Sequence, residues 1–459
     1  MKMMLSDCAD AVQGKRIGDD VAITSVSIDT RAIKPGQLYI AIKGDNFDGN
    51  AFVAQAEQAG AAAAIVHQGV QCGLPHIVVD DTRLALAELA GFWRRSLGAR
   101  GHESLSVVGI TGSNGKTTVK EMVAAILAVN DSVLFTQGNL NNDIGVPLTL
   151  LRLDEQHRYA VIEMGANHAK EIAYTSAYAQ ADVAIITNAG AAHIAGFGSL
   201  NGVAQAKGEI IETLKTDGVA VLNRDDDFFD YWRSVAGNRR VLSFGLQKDA
   251  DVSAKAIKTQ ICNNAFATTF ELLTAQGAID ISLKLAGVHN VVNALAATAA
   301  GLALGLKLEQ IKQGLEGVKP VTGRLQPLLS RTGAVVIDDT YNANSASLKA
   351  GLDVLASFKG KSWLVLGAFG ESGPDSPKMH EDMAELIKAS GVVRLLAVGA
   401  DSKHTVQAFG SGATFFEQQQ DLIAALKQEL QGDETILIKG SRAQHMEHVA
   451  AALVENFRN

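Results

Sequence analysis

Short apolar runs and helix-period segments alternate along the chain. Near the N-terminus VAITSVSI (21–28), LYIAI (38–42), AAAIV (62–66) and HIVV (76–79) predict the short strands of a small mixed α/β unit. From Thr82 to about Leu97 the residues Leu86, Leu89, Ala90 and Trp93 fall on one helical face, and a polar GARGHES segment follows. The first domain boundary is therefore expected between Asp81 and Glu103.

LSVVGI (105–110) is an uninterrupted apolar run, the pattern of a parallel strand buried on both faces. It leads through TGSNGKTT (111–118) into a stretch where Val119, Met122, Val123, Ile126 and Leu127 recur at helical spacing. YAVIE (159–163), DVAIIT (182–187) and VAVLN (219–223) repeat the buried-strand pattern between helical stretches, which predicts a doubly wound sheet. After Arg324 the rhythm restarts with AVVID (334–338), SWLVLG (362–367), VRLLAV (393–398) and ETILI (434–438). Between the two series, Pro320 and Gly323 interrupt helix and strand in GVKPVTGR (317–324), which reads as a hinge. The expected fold class is α/β with three domains: a small mixed α/β domain (1–82), a central doubly wound P-loop ATPase-like domain (83–319) and a C-terminal Rossmann-like domain (320–459).

Composition agrees with that division. A chain of 459 residues holds about three domains at roughly 150 residues each. With 44 Gly, 7 Pro and 5% aromatics, it favours tight βα turns over an aromatic-rich β-sandwich. A net charge of -8 without a run of five like charges argues against a nucleic-acid surface. Cys8, Cys72 and Cys262 form no CxxC pair, so neither a disulfide framework nor a zinc site is expected, and a reducing cytoplasm fits best. The N-terminus has no apolar leader, and the Ala-rich stretch around 287–306 carries His289, Asn290 and Asn293, so neither export nor a membrane span is expected.

The candidate chemistry starts at TGSNGKTT, which departs from GxxxxGK[ST] in having Ile110 at the first Gly position. In a phosphate loop the backbone N–H groups of Gly112, Ser113, Asn114 and Gly115 and the helix start at Thr118 face the phosphates. Lys116 adds a point charge, and the Thr117 hydroxyl ligates Mg²⁺. The alternative is a strand-turn-helix corner with a solvated lysine. Glu163, at the carboxyl end of its strand, is either a magnesium ligand or an ordinary capping carboxylate. His193, in the small-residue loop TNAGAAHIAGFGS (187–199), is a candidate for the metal or a phosphoryl oxygen, or a plain loop histidine. Lys207 sits on a helix, where a lysine is usually solvated.

Taken in order, TGSNGKTT, Glu163, His193 and Lys207 resemble the Mur ligases of peptidoglycan synthesis. The resemblance extends over SIDTR (27–31), LYIAIKGDNFDGNAF (38–52), GNLNNDIGVPLTLL (138–151), GVHNVVNALAA (287–297), GRLQ (323–326), DDTYNANSAS (338–347), LGAFGESG (366–373) and KGSR (439–442). Ser345 and Ser372 depart from it, where a proline and an apolar residue are expected.

The resemblance implies that Ser27, Asp29 and Arg31 bind the uridine nucleotide, although the same residues also read as a strand-end turn. It assigns substrate contact to Asn139 and Asn142, which are otherwise turn formers, and adenine contact to Asn290, which otherwise caps a helix. Arg324 receives the γ-phosphate, Asp339 a ribose or hinge role, and Lys207 carbamylation by CO₂ as a ligand of a second Mg²⁺. By elimination a dipeptide enters beside Tyr341, Asn342 and Asn344, its carboxylate met by Lys439 or Arg442 at the start of the last helix, unless KGSR is a solvated cap. The implied reaction uses ATP and Mg²⁺ to ligate D-alanyl-D-alanine to a UDP-N-acetylmuramoyl tripeptide through an acyl phosphate, in a cytoplasmic monomer whose C-terminal domain swings onto the central one. The alternatives are a sister Mur ligase, a folylpolyglutamate synthetase-type ligase, and a non-enzymatic nucleotide switch.

Overall fold

The computed structural model describes all residues except 45–46, 100–104, 191–193, 263–264, 359, 371–375 and 455–459. The first unit is a five-stranded sheet in the order Lys15–Ile17, His76–Val79, Ala63–His67, Gln37–Ile40 and Ser25–Ser27, antiparallel only at its first pair. The run expected as one strand over 21–28 is broken: Ala22–Ile23 leaves the sheet to pair with Met3–Met4. Helix Thr82–Ala99 buries Leu86, Leu89, Ala90 and Trp93 as their spacing predicts. Its apolar face joins one continuous core with this sheet and with the next unit.

In the central sheet β1 (Ser106–Thr111) lies between β2 (Tyr159–Glu163) and β3 (Val183–Ile186), all three parallel. Both faces of such strands are covered, which is why they read as unbroken apolar runs. Val133–Phe135 closes the β2 edge, and Val219–Asn223 and Arg240–Phe244 continue beyond β3. An antiparallel meander of Val252–Cys262, Ala265–Thr274 and Gly277–Leu283, which the apolar runs do not predict, completes nine strands. Along its middle strand Phe266, Thr268, Phe270 and Leu272 are buried while their neighbours are wetter, a period of two blurred in the sequence by Thr268 on the buried face and by Ala267 and Leu273 on the other.

Helix α1 (Lys116–Leu127) packs on one face of this sheet, and α2 (Leu200–Glu212) covers the other. On the α1 side, Val119, Met122, Val123 and Ile126 meet Val291, Ala294 and Leu295 of α3 (Val288–Ala303) in a second core. Each of the Val, Leu, Ile and Met side chains among them contributes about 1.5–3 kcal/mol on burial. The loop between β1 and α1 is thereby held by two packed elements.

The C-terminal sheet has the order Gln326–Leu329, β4 (Val335–Asp339), β5 (Glu434–Lys439), Lys361–Gly367, Val392–Val398 and Ala413–Phe416, parallel except at the first pair. The four inner strands are those the apolar runs predict; both edge strands are additions. Helix α4 (Ser345–Ala356) follows β4 and starts at Ser345, where a proline would also fit the first helical turn. At the hinge Gly323 has φ 72° and its carbonyl accepts the Tyr341 N–H at 3.0 Å, in a left-handed conformation where glycine carries no Cβ penalty. Among the described residues no helix is long and apolar enough to cross a membrane.

Candidate active site

Strand β1 ends at Thr111 and the chain turns through Gly112 (φ 144°) and Gly115 (φ 84°) before α1 begins. A Cβ on Gly112 would strike the Thr187 hydroxyl, and one on Gly115 the Asn293 amide, so both must be glycine. The loop is braced from the end of β3: Asn114 N–H donates to Asn188 Oδ1 at 2.9 Å, and Thr187 Oγ1 donates to the Asn114 carbonyl at 2.6 Å. Ser113 exchanges hydrogen bonds with Gly190, at 3.1 and 2.9 Å. Because the first bond of the helix runs from Val119 N–H to the Gly115 carbonyl, the amides of Gly115, Lys116, Thr117 and Thr118 precede the helical ladder, the arrangement that accepts a phosphate. Lys116 folds back and donates to the carbonyls of Gly112 (2.7 Å) and Ser113 (3.2 Å). Burial lowers its pKa, with Glu163 opposing and Arg324 reinforcing that shift.

Glu163, the last residue of β2, is 2% exposed, so it is no surface carboxylate. Its Oε1 accepts from Asn141 Nδ2 at 2.9 Å and Thr117 Oγ1 at 3.3 Å, while Oε2 is buried with no hydrogen-bond partner. Asn141 was not among the candidates; it stands between the two asparagines that were. Asn142 instead accepts the Gly145 N–H at 2.8 Å, the local-turn alternative, and Asn139 is exposed at the cleft mouth. From across the hinge Arg324 Nη2 donates to Thr117 Oγ1 at 3.3 Å, and its guanidinium lies 4.4 Å from the Tyr341 ring centroid.

Lys207 lies on the inner face of α2 and is 3% exposed, not solvated. Its amine sits 5.2 Å over the Phe197 ring. Its pKa is lowered to about 7 by burial first and by the Lys116 charge second, with Glu209 and Glu171 opposing. His193 lies outside the described residues.

Two clefts meet at the phosphate loop. One, of about 420 Å³, is lined by Asn114, Gly115, Thr118, His289, Asn290, Asn293, Arg324 and Asp339. Asn290 does not cap α3, because the cap position is Gly287; its amide donates to the Ala286 carbonyl at 2.7 Å and accepts from Asn293 at 3.1 Å. Burial lowers the His289 pKa to about 4, so its ring is neutral at pH 7. The other cleft, of about 450 Å³, is lined by Lys116, Thr117, Glu163, Lys207, Tyr341 and Asn344, with Asn139 and Asn142 at its wall.

Several expectations for the C-terminal domain need correction. Lys439 is no free anion site: it ends β5 at 1% exposure, its amine bonded to Asp339 Oδ2 and, at 3.1 Å, to the Asn342 carbonyl. Arg442 is not at the start of the last helix, which begins at Glu447; it occupies a 3-10 turn, 62% exposed and paired with Glu447 at 3.2 Å, outside both clefts. Asn342 turns its side-chain oxygen to the Ala343 N–H. Asn344 caps α4 through Ser347 N–H and also donates to Asn114 Oδ1 at 2.8 Å, tying α4 to the phosphate loop. In the first unit Asp29 caps the turn Thr30–Ala32 and pairs with Arg31, and Ser27 donates to the Asp29 carbonyl. Arg31 is 84% exposed, and its hydrogen bonds lower the Asp29 pKa to about 2, so the strand-end turn exists whether or not a nucleotide binds there. Ser372 lies outside the described residues.

A magnesium ion suits hard oxygen ligands, keeps several waters and takes one or two carboxylates beside substrate phosphates. The unpartnered buried Oε2 of Glu163, next to the Thr117 hydroxyl and the helix start, fits that demand. Among the described residues no group of three or more His, Cys, Asp or Glu could hold a metal by itself.

A phosphate loop, a strand-end carboxylate and a basic finger from a second α/β domain define the architecture of an ATP-dependent ligase. Residues 22–94 match the Mur ligase family catalytic domain, 110–301 the Mur ligase middle domain, and 323–442 the Mur ligase glutamate ligase domain. The chain belongs to the Mur ligase family and is a ligase. It is 43% identical over 99% of both chains to the UDP-N-acetylmuramoyl-tripeptide--D-alanyl-D-alanine ligase of Escherichia coli, and 34% identical over 99% of both to that of Bacillus subtilis. Among solved structures it is similar to MurF from Acinetobacter baumannii (37% identity, TM-score 0.92, 99% of both chains). It is also similar to MurF from Thermotoga maritima in complex with ADP (27% identity, TM-score 0.83, 93% of this chain and 96% of that one).

Proposed function

We propose that this protein joins the terminal carboxylate of a UDP-N-acetylmuramoyl tripeptide to the amine of D-alanyl-D-alanine, with ADP and phosphate released. The observation that carries the reading is the contact of Arg324 with Thr117, which brings a cation of the C-terminal domain onto the phosphate loop of the central one. Residues 1–82 take the uridine nucleotide, 83–319 take ATP and 320–459 the dipeptide. Arg31, exposed and paired with Asp29, would meet a pyrophosphate by exchanging that ion pair for phosphate oxygens.

In the first step a carboxylate oxygen bonds to the γ-phosphorus and the bond to the bridging β–γ oxygen breaks, giving an acyl phosphate and ADP. In the second the dipeptide nitrogen attacks the acyl carbon, the carbon–phosphate oxygen bond breaks, and the amine loses its proton to solvent. The amides of 115–118 and Lys116 cradle the β- and γ-phosphates, and Arg324 neutralises charge that develops on the transferred group. Asn290, Asn293 and neutral His289 line the cleft proposed for the base and ribose, with Asp339 at its rim. Mg²⁺, when bound, would be held by Glu163 and Thr117 and would supply charge neutralisation on the phosphates. The buried amine of Lys207, neutral in a sizeable fraction at pH 7, adds to CO₂ with loss of a proton to give a carbamate, an acidic ligand at the same cleft.

Because this chemistry draws on ATP, the enzyme is read as cytoplasmic, and as a monomer because one chain accommodates all three substrates. The test measures phosphate release from ATP and the UDP-tripeptide with and without D-alanyl-D-alanine. Release that ignores the dipeptide overturns the reading, and release driven equally by a single amino acid points to a sister ligase.

A further inference from the structure

Glu163 is held asymmetrically. Of its two oxygens, Oε1 receives Asn141 Nδ2 at 2.9 Å and Thr117 Oγ1 at 3.3 Å, whereas Oε2 has no partner although it is buried. A buried carboxylate with one bare oxygen is costly, and two rotamers would otherwise compete to bring either oxygen inward. The amide of Asn141 removes that choice, because a neutral NH₂ donor can satisfy Oε1 without cancelling the negative charge that a cation requires. A lysine at the same place would neutralise the site.

Asn141 is itself fixed from two sides. Its carbonyl accepts the Gly165 N–H at 2.8 Å, joining the 138–145 loop to the chain just beyond β2. Its own N–H donates to the Asn139 carbonyl at 2.8 Å. Two positions on, Asp143 pairs with Arg83 at the start of helix Thr82–Ala99, which anchors the loop to the junction with the first unit.

We infer that Asn141 is a positioning residue for divalent-cation binding: by holding Oε1 of Glu163 it presents Oε2 to the ion. This rests on the proposed role of Glu163 as the cation's carboxylate. Partners that orient a ligand in this way typically account for 10- to 100-fold in metal affinity or activity. The full-length protein is titrated with Mn²⁺ in the presence of a non-hydrolysable ATP analogue, free Mn²⁺ being followed by electron paramagnetic resonance. Asn141→Ala is expected to weaken Mn²⁺ binding about ten-fold, to bind the metal-free analogue as wild type does, and to regain turnover as Mg²⁺ is raised. Asn141→Ser, which keeps a small polar side chain too short to reach Glu163, is expected to behave alike and serves if the alanine variant does not fold. Equal Mn²⁺ affinity in wild type and variant overturns the inference alone. A wild-type protein that binds no Mn²⁺ with the analogue overturns the role of Glu163 and the inference with it.

Discussion

Arg324 and Thr117 are 207 positions apart in the chain, yet the guanidinium of one donates to the hydroxyl of the other at 3.3 Å. The contact spans the hinge and links the C-terminal domain to the phosphate loop of the central one. Arg324 Nε is buried without a partner, which leaves one donor for an incoming phosphoryl oxygen. Arg324→Ala is therefore expected to lower kcat by about 10² or more, with a smaller change in the KM for the UDP-substrate. Steady-state kinetics with each substrate varied in turn checks this; a kcat within a factor of about two of wild type would sink it.

Glu163→Gln keeps an oxygen for Asn141 and Thr117 but removes the buried charge. Turnover is expected to fall on the order of 10² or more at any Mg²⁺ concentration, while the thermal midpoint is not lowered. A large loss of stability together with lost activity would mean that the carboxylate supports the fold rather than the chemistry.

Lys207→Ala is expected to lose most activity and to regain part of it with formate or another short carboxylate that occupies the space of the proposed carbamate. The same lysine gives a pH signature. Its pKa falls from 10.5 in the free side chain to about 7 in the fold, so between those values the unfolded chain holds the extra proton and stability rises with pH. Below pH 7 both states carry that proton and the buried charge counts fully against the fold. Lys207→Met is expected to gain stability over wild type at pH 6 and to lose that advantage towards pH 9. Melting curves of both proteins in CO₂-free buffer measure the difference, and a gap independent of pH contradicts the assignment.

Lys439 and Asp339 form a buried ion pair, 1% and 13% exposed at the side chains. Lys439→Met leaves the Asp339 carboxylate uncompensated and is expected to cost about 3–5 kcal/mol, whereas adding Asp339→Asn recovers much of the loss. Because Asp339 also accepts the Leu325 N–H beside Arg324, the KM values for all three substrates are expected to shift together in the single variant. Denaturant unfolding of the cycle checks the energy. A shift confined to the dipeptide KM would restore Lys439 as a direct substrate contact.

How much the chain discloses by itself depends on how local each feature is. The β1–loop–α1 corner is legible because glycine spacing, an apolar strand and a periodic helix are contiguous in sequence. Strands β1, β2, β3 and Val219–Asn223 of the central sheet and the four inner strands of the C-terminal sheet are legible for the same reason. The Asn141–Glu163 bond is not, since three asparagines in NLNND look alike until the fold aims one of them at β2. The neutralisation of Lys439 depends on a partner 100 positions away, and a basic KGSR segment read alone suggests an open anion site. The antiparallel meander escaped because its alternation is irregular, with Thr268 on the buried face of the middle strand and Ala267 and Leu273 on the other, a weaker signal than a fully buried run.

The two glycines of the phosphate loop have neighbours that act as a mould. Thr187 fills the space outside Gly112 and Asn293 the space outside Gly115, so the loop's curvature is cast by strand β3 and helix α3 rather than stored in the loop itself. An enlarged side chain at either neighbour deforms the loop without altering a residue of the loop itself. Resistance to an ATP-competitive inhibitor therefore has two routes that leave TGSNGKTT intact, one just past the end of β3 and one on α3.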